Sequence, residues 1–446
     1  MNRPWRFTNR NLLLTAVMLA VFRTADADIS STDVTDWLQT NANAPTDGLQ
    51  PGIYGVSHLP ELGRYIPPGF VEEFDFPELE VELSETRHYD PHPSYREATR
   101  RFVGTAAIDA NGALMSYTAG QPFSPEQIES APADKAGYML AWSHIFRWQH
   151  YGYETDILVS YLEPGGVGAI TQTPGMQGGG HVKRSMTLYY RRVYLSKLAH
   201  VADNDYRLDV DDSEKLHWKE YMKIVDPFDV AGAQFVIERS LDPREGDQIY
   251  SYLPTERRVR RLSAKERSDS FMGTEYTFDD LQGFSGRVMD YKWRYLGRKV
   301  IMHVSASRHE QQVFFGPMSH VPSDRWQLRP CYVAELIPEW PEHPYGRRLQ
   351  FIDADTFNTA LSLIFDREDQ LWKIIYTAYE REDAAEGVIP EPSQSTHRWA
   401  ALVGIDLKNQ RTTISREPDG TQSVYESVSP SKVRRIFDVS NLTSGR

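Results

Sequence analysis

Three clusters in this sequence combine residue types that bind phosphate or metal. Gly178-Gly179-Gly180, preceded by Gly175 and followed by His181, Lys183 and Arg184, has the backbone freedom and the cations of a phosphate loop. It lacks the GK[ST] ending, and no strong helix follows to cap a phosphate, so a flexible glycine loop is the stronger reading. His88 and His92 stand at a chelating spacing, but Pro91 and Pro93 exclude regular helical presentation and no third ligand converges in sequence. Asp209, Asp211, Asp212 and Glu214 carry the charge of a calcium loop without its central glycine and terminal glutamate. No metal and no cofactor is expected.

Nucleophilic chemistry has no local motif either. Neither a GxSxG elbow nor an HExxH helix occurs, and the single cysteine, Cys331, rules out an intramolecular disulfide framework, a CxxC redox centre and a thiolate-rich zinc site. Triads are recognised by geometry and not by order, so a hydrolase stays open as a reading that needs Ser or Asp and His within about 3 Å in one cavity. With 62 Asp+Glu against 49 Lys+Arg the formal charge is −13, which excludes a global electrostatic grip on nucleic acid. With 40% hydrophobic and 12% aromatic residues, the chain can bury a large core.

The elements that must position any site follow from patterning. Arg3, Arg6 and Arg10 precede the apolar run Leu12 to Phe22, and Ala25-Asp26-Ala27 offers a small-x-small cleavage pattern, so residues 1–27 read as an export signal. That run is too short for a permanent membrane span, no later segment reaches spanning length, and a soluble exported product is expected. Residues 28–95 are rich in Pro, Gly and acids and read as an extended, wrapping arm. Tyr95 to Phe102 and Asp134 to Gln149 read as helices, the second with Tyr138, Ala141, Trp142, Ile145 and Trp148 on one aromatic face.

From about Thr155 the texture is of short alternating segments with turns between them. Thirteen strands are expected, from Asp156 to Leu162 through to Thr412 to Arg416, with Asp366 to Gln370 and Leu296-Gly297-Arg298 as reversals. Such a meander must hide one face. The expectation is a mostly β (α+β) fold over 96–446: a large, strongly curved or half-open antiparallel barrel with helices over its opening.

The most informative stretch runs from Ile249 to Gly286. Tyr250 and Tyr252, then Val259 and Leu262, interleave with polar residues as in a hairpin turned at Pro254-Thr255, whose second strand carries Arg257, Arg258, Arg260 and Arg261. The Gly-punctuated loop that follows puts Phe271 and Met272 near Tyr276 and Phe278, apolar side chains that something must cover.

The runs YLPTERRVRRL and RSDSFMGTEYTFDDL closely resemble the pattern of exported Gram-negative proteins of the outer-membrane lipoprotein-sorting-like group and of their longer relatives, called domain of unknown function 1329. The likeness continues through Tyr291 to Gly297, His343-Pro344-Tyr345 to Ile352-Asp353 and Asp366 to Lys373. Upstream, Gly120-Gln121-Pro122-Phe123 and the Trp142 helix resemble the longer subfamily.

The resemblance implies a LolA- and LppX-like half-open barrel holding a lipophilic molecule in a hydrophobic cavity, often alongside an RND-type (MMPL) exporter. On that basis Trp142, Phe146, Phe271, Met272, Tyr276 and Phe278 are the expected ligand-binding residues, and Arg258, Arg260 and Arg261 the expected contacts for an anionic headgroup, transporter or outer-membrane partner. The other open reading is a non-catalytic adaptor of an envelope export system, its interior filled by its own side chains.

Overall fold

In the computed structural model the described residues are 29–40, 46, 48–165, 175–308, 312–381, 391–418 and 423–443. The expected export signal lies outside them. Twenty strands and six α-helices are seen among the described residues. The first part of the chain contributes α1 (Ser31–Thr40), β1 (Gly52–Tyr54), α2 (Leu59–Leu62), β2 (Val81–Leu83) and α3 (Pro93–Phe102). The hairpin β3 (Ala107–Ile108) and β4 (Leu114–Met115) follows, with α4 (Pro125–Ser130) and α5 (Ala133–Ile145).

The meander is β5 (Gly152–Glu163), β6 (His181–Tyr194), β7 (Leu216–Asp226), β8 (Gln234–Ser240), β9 (Gln248–Leu253), β10 (Arg258–Leu262) and β11 (Tyr291–His303). A small pair, β12 (Phe314–Phe315) and β13 (Val321–Pro322), stands apart. Then come β14 (Arg325–Pro338), β15 (Arg347–Asp353), β16 (Thr359–Phe365), β17 (Leu371–Glu380), β18 (Arg398–Asp406), β19 (Arg411–Arg416) and β20 (Ser423–Val424), before α6 (Pro430–Phe437). The fold is mostly β.

The main sheet runs β1-β2-β14-β15-β16-β17-β18-β19-β5-β6-β7-β8-β9-β10, with β11 on β14 and β20 on β5. Its pairings are antiparallel except β2 against β14. Among the described residues no pairing joins β10 to the other end, so the sheet is open and not a closed barrel.

It is nevertheless strongly curled. From β8 to β15 is eight strand steps, about 38 Å across a flat sheet at ~4.8 Å each. Yet Phe278 packs on Phe235 of β8 with ring centroids 5.8 Å apart, while Asp280, two residues on, accepts a 2.6 Å bond from Arg348 of β15. Two residues and two side chains cannot bridge the flat distance, so the sheet must wrap round the 263–290 segment.

Both faces of the sheet's central strands are covered. Leu349, Phe351, Leu363, Ile374 and Val403 face one core with Val34, Trp37, Leu62, Phe70 and Phe74 of the N-terminal segment. Ile364, Ile375 and Leu402 face the concave side with Phe271, Tyr276 and Phe278. Double burial explains why Thr359–Phe365 reads as a nearly continuous apolar run without strict alternation. Helix α5 is buried on most sides and lies on β11; a Cβ on Gly137 would sit 2.5 Å from the Arg294 amide nitrogen, so glycine is what permits that approach.

Three expectations are corrected. Leu296-Gly297-Arg298 is not a reversal: β11 runs unbroken from Tyr291 to His303, with a bulge at Tyr295/Gly297 where Gly297 takes φ +123°. The helix expected to reach Gln149 stops at Ile145, because Trp148 turns away to stack on His92 and pack on Tyr95. Strand β7 was not expected at all, its charges Lys219 and Glu220 being buried rather than solvated.

Candidate functional site

Residues 263–290 cross the concave face, and buried ion pairs fix their base. Arg267 pairs with Asp279 at 2.7 Å and with Asp247 at 2.8 Å, and Arg239 holds Asp247 at 2.6 Å. Burial alone would raise the Asp247 carboxyl, but Arg239 and Arg267 together hold it below its ordinary value. Asp280 accepts from Arg348, from Tyr345 Oη at 2.8 Å and from the Thr277 backbone amide at 2.8 Å. Arg192 bonds Glu220 at 2.8 Å, Gln282 at 2.9 Å and Ser285 at 3.0 Å. Removing one partner of such a pair strands a charge in a dry interior, which typically costs about 3–5 kcal/mol.

The tip between these anchors is held differently. Residues Ser270 and Thr277 form a bridge that closes the loop, and Met272 and Gly273 take φ +51° and +81° at its turn. One side-chain hydrogen bond from the sheet reaches the turn itself, Tyr161 Oη donating to the Met272 carbonyl at 2.9 Å. At its foot Tyr276 Oη meets Ser415 Oγ, the Glu275 amide donates to Thr413 Oγ1 at 3.0 Å, Lys373 Nζ donates to the Glu275 carbonyl at 2.9 Å, and the Glu275 carboxylate pairs with Arg411 at 3.1 Å and Lys373 at 3.4 Å. Burial pushes the Tyr161 phenol up to about 12, so both phenols stay protonated and bonded.

Beneath the tip is a void of about 30 Å³, lined by Ile157, Leu188, Met222, Trp399 and Leu402 from the sheet and by Phe271, Tyr276 and Leu281 from the loop. Tyr153, Tyr190, Gln282 and Ser415 complete its wall. As drawn it has room for about two waters. Among the described lining residues there is no His, Asp or Glu, and Ser415 faces only the Tyr276 phenol, so a Ser–His pair is not assembled here.

The expected site residues fall into three places. Phe271 and Tyr276 line the void, while Phe278 supports Phe271 at 4.8 Å between ring centroids and Met272 sits half-buried at the tip. Trp142 and Phe146 belong to a separate cluster: Trp142 donates to the Gly112 carbonyl at 2.8 Å, and Phe146 packs on Tyr117 and His217. Arg258 and Arg260 lie exposed on β10 and share Glu256 of their own hairpin at 3.4 and 3.2 Å, with Arg261 exposed beside them.

The sequence reading missed the sheet half of the lining. Tyr153, Ile157, Leu188 and Tyr190 stand at alternate positions of β5 and β6, a period-two signal that could have marked the inward face.

The other motifs resolve into packing. Gly178 approaches Gly316 so closely that a Cβ would lie 2.1 Å from its carbonyl oxygen, and Gly179 donates to that carbonyl at 2.9 Å. His92 caps α3, and His88 meets Asp355 at 3.0 Å. Asp211, Asp212 and Glu214 pair with Arg434, Lys219 and Arg207. Among the described residues no group of three or more His, Cys, Asp or Glu is placed to hold a metal, and no helix is long and apolar enough to cross a membrane.

The model of the family described as protein of unknown function (DUF1329) matches residues 64–443. The chain belongs to the DUF1329 family. An uncharacterised protein of Pseudomonas aeruginosa is 23% identical over 292 residues, 62% of this chain, and the chain spans 57% of that relative's length. Among solved structures, a DUF1329 protein from Desulfovibrio piger is 16% identical, with a TM-score of 0.46 over 70% of this chain and 100% of its own. A Vibrio parahaemolyticus domain named for outer membrane lipoprotein sorting is 15% identical, with a TM-score of 0.44 over 70% of this chain and 99% of its own. The 249–286 stretch lies within the matched residues, and its Arg267, Asp279 and Asp280 are buried anchors of the crossing segment.

Proposed function

We propose that this DUF1329 protein is an exported, periplasmic, non-catalytic carrier of one lipophilic molecule. In this reading the molecule lies on the concave face, over Ile157, Leu188, Met222 and Leu402, and displaces the Phe271–Thr274 turn to enter. The observation that supports the reading is the contrast within one segment: a base and foot pinned by buried ion pairs, Lys373–Glu275 among them, and a turn from Phe271 to Thr274 that one side-chain hydrogen bond holds over an apolar void. That bond is worth about 1 kcal/mol net, so opening of the turn lies within reach of a bound acyl chain that buries many methylenes at about 0.8 kcal/mol each. An RND-type (MMPL) transporter or an outer-membrane protein would supply or accept the cargo.

Phe271→Ala tests this directly. Removing the ring enlarges the void, and a fluorescent polyene fatty acid is expected to bind several-fold more tightly to the variant than to the unsubstituted protein. Equal absence of binding in both would sink the carrier reading. The small volume of the void favours the rival, a non-catalytic adaptor whose interior is filled by its own side chains, and that outcome would select it.

A further inference from the structure

The β7–β8 hairpin ends in Val225-Asp226-Pro227-Phe228-Asp229, where Phe228 is 97% exposed and Val225 53%. A phenyl ring left wholly in water forgoes about 2 kcal/mol of burial. The tip of the next hairpin, β9–β10, is its neighbour: a Cβ on Gly232 would lie 3.2 Å from Pro254 Cγ. That tip bears Arg257, Arg258, Arg260 and Arg261, all exposed, against the single acid Glu256. Beside Phe228, Asp229 is already neutralised by Arg184 at 2.9 Å. Asp226 is the other exposed acid of that turn, so four arginines on the neighbouring hairpin outnumber the acids flanking an exposed ring, on a chain whose formal charge is −13.

The same end of the sheet holds the loop over the void. Arg184 stands opposite Tyr161 across β5 and β6, and Tyr161 is the residue that bonds the Met272 carbonyl. The Phe228 hairpin and the loop tip are therefore linked through one ion pair and one strand pairing.

We infer that this end of the sheet docks on the surface of an anionic phospholipid bilayer, with Phe228 entering the headgroup boundary and the β10 arginines meeting lipid phosphates. A projecting ring on a convex hairpin needs a partner that yields around it, which a bilayer does and a flat protein surface does not. Aromatic insertion beside arginine is the composition of a membrane-interface contact, and each cation near an anionic surface adds about 1 kcal/mol. Docking stands apart from cargo binding; only its use, to set the loop against the membrane, rests on the carrier reading.

The test is sedimentation of the full chain with phosphatidylethanolamine–phosphatidylglycerol vesicles and with phosphatidylcholine vesicles. Binding is expected to the anionic vesicles, to fall as salt rises, and to drop about tenfold in Phe228→Ser, the ~1.4 kcal/mol equivalent of losing most of one inserted ring. Phe228→Leu should retain most of it, and Arg257→Glu with Arg261→Glu should lose it. Unchanged melting temperatures establish that these exposed variants fold. Equal pelleting with both vesicle types, or wild-type binding by Phe228→Ser, overturns the inference and leaves the hairpin to a protein partner. Fatty-acid binding measured on the same samples separates this result from the carrier question.

Discussion

Asp280 and Arg348 are 0% and 3% exposed in their side chains and 2.6 Å apart, and Asp280 also accepts from Tyr345 and the Thr277 amide. Arg348→Met should therefore destabilise the protein by about 3–5 kcal/mol in urea titrations, because it leaves a charged carboxylate dry and short of its cation. Arg348→Met with Asp280→Asn should recover part of that loss. A single-variant cost below about 1 kcal/mol would mean that water reaches the pair. Cys331 is wholly buried, and burial pushes its thiol well above the ordinary range, so a disulfide exchange reagent should label it only after unfolding.

At the scale of elements, the 263–290 segment divides into an anchored base and a releasable tip. Tyr161→Phe removes the side-chain bond from the sheet to the Phe271–Thr274 turn. Amide exchange over 271–274 should then accelerate about fivefold, the equivalent of about 1 kcal/mol, while 275–285 stays protected. Acceleration of both together would show one opening unit and no separate gate. The strands were legible wherever side chains alternate or run apolar: Gln248–Leu253, Arg258–Leu262 and Thr359–Phe365 have the expected bounds. Where charge goes inside, legibility fails. Lys219 and Glu220 hid β7, and a glycine that makes a bulge read as a turn at Gly297. Of the site, the loop residues Phe271 and Tyr276 were legible from their punctuation by glycine. The strand side of the void was not, because alternation marks an inward face without saying which distant strands will curl to share it.

At the scale of the whole molecule, burial depresses seven histidines. His144 and His150 are held to about 3, His200, His303 and His343 to about 4, and His217 and His397 well below 6.5, desolvation being the main cause in each. They are neutral in the fold and titrate near 6.5 when unfolded, so unfolding takes up protons below that pH. Their contribution is complete above about pH 6.5 and is lost as pH falls toward about 4. Glu417, raised to about 8, and Asp290, raised to about 6, act in the opposite sense, stabilising at acid pH and losing that effect as pH rises through those ranges. Seven groups outweigh two, and the urea midpoint should be lower at about pH 5 than at about pH 7.5. Equal or greater stability at the lower pH would contradict the burial of these rings. The central claim, that the curled sheet carries an apolar molecule, is tested most directly by native mass spectrometry of protein gently purified from the periplasm, with organic extraction of whatever it releases. The account predicts a stoichiometric lipophilic adduct. A clean apo mass that persists after incubation with total envelope lipids would contradict it.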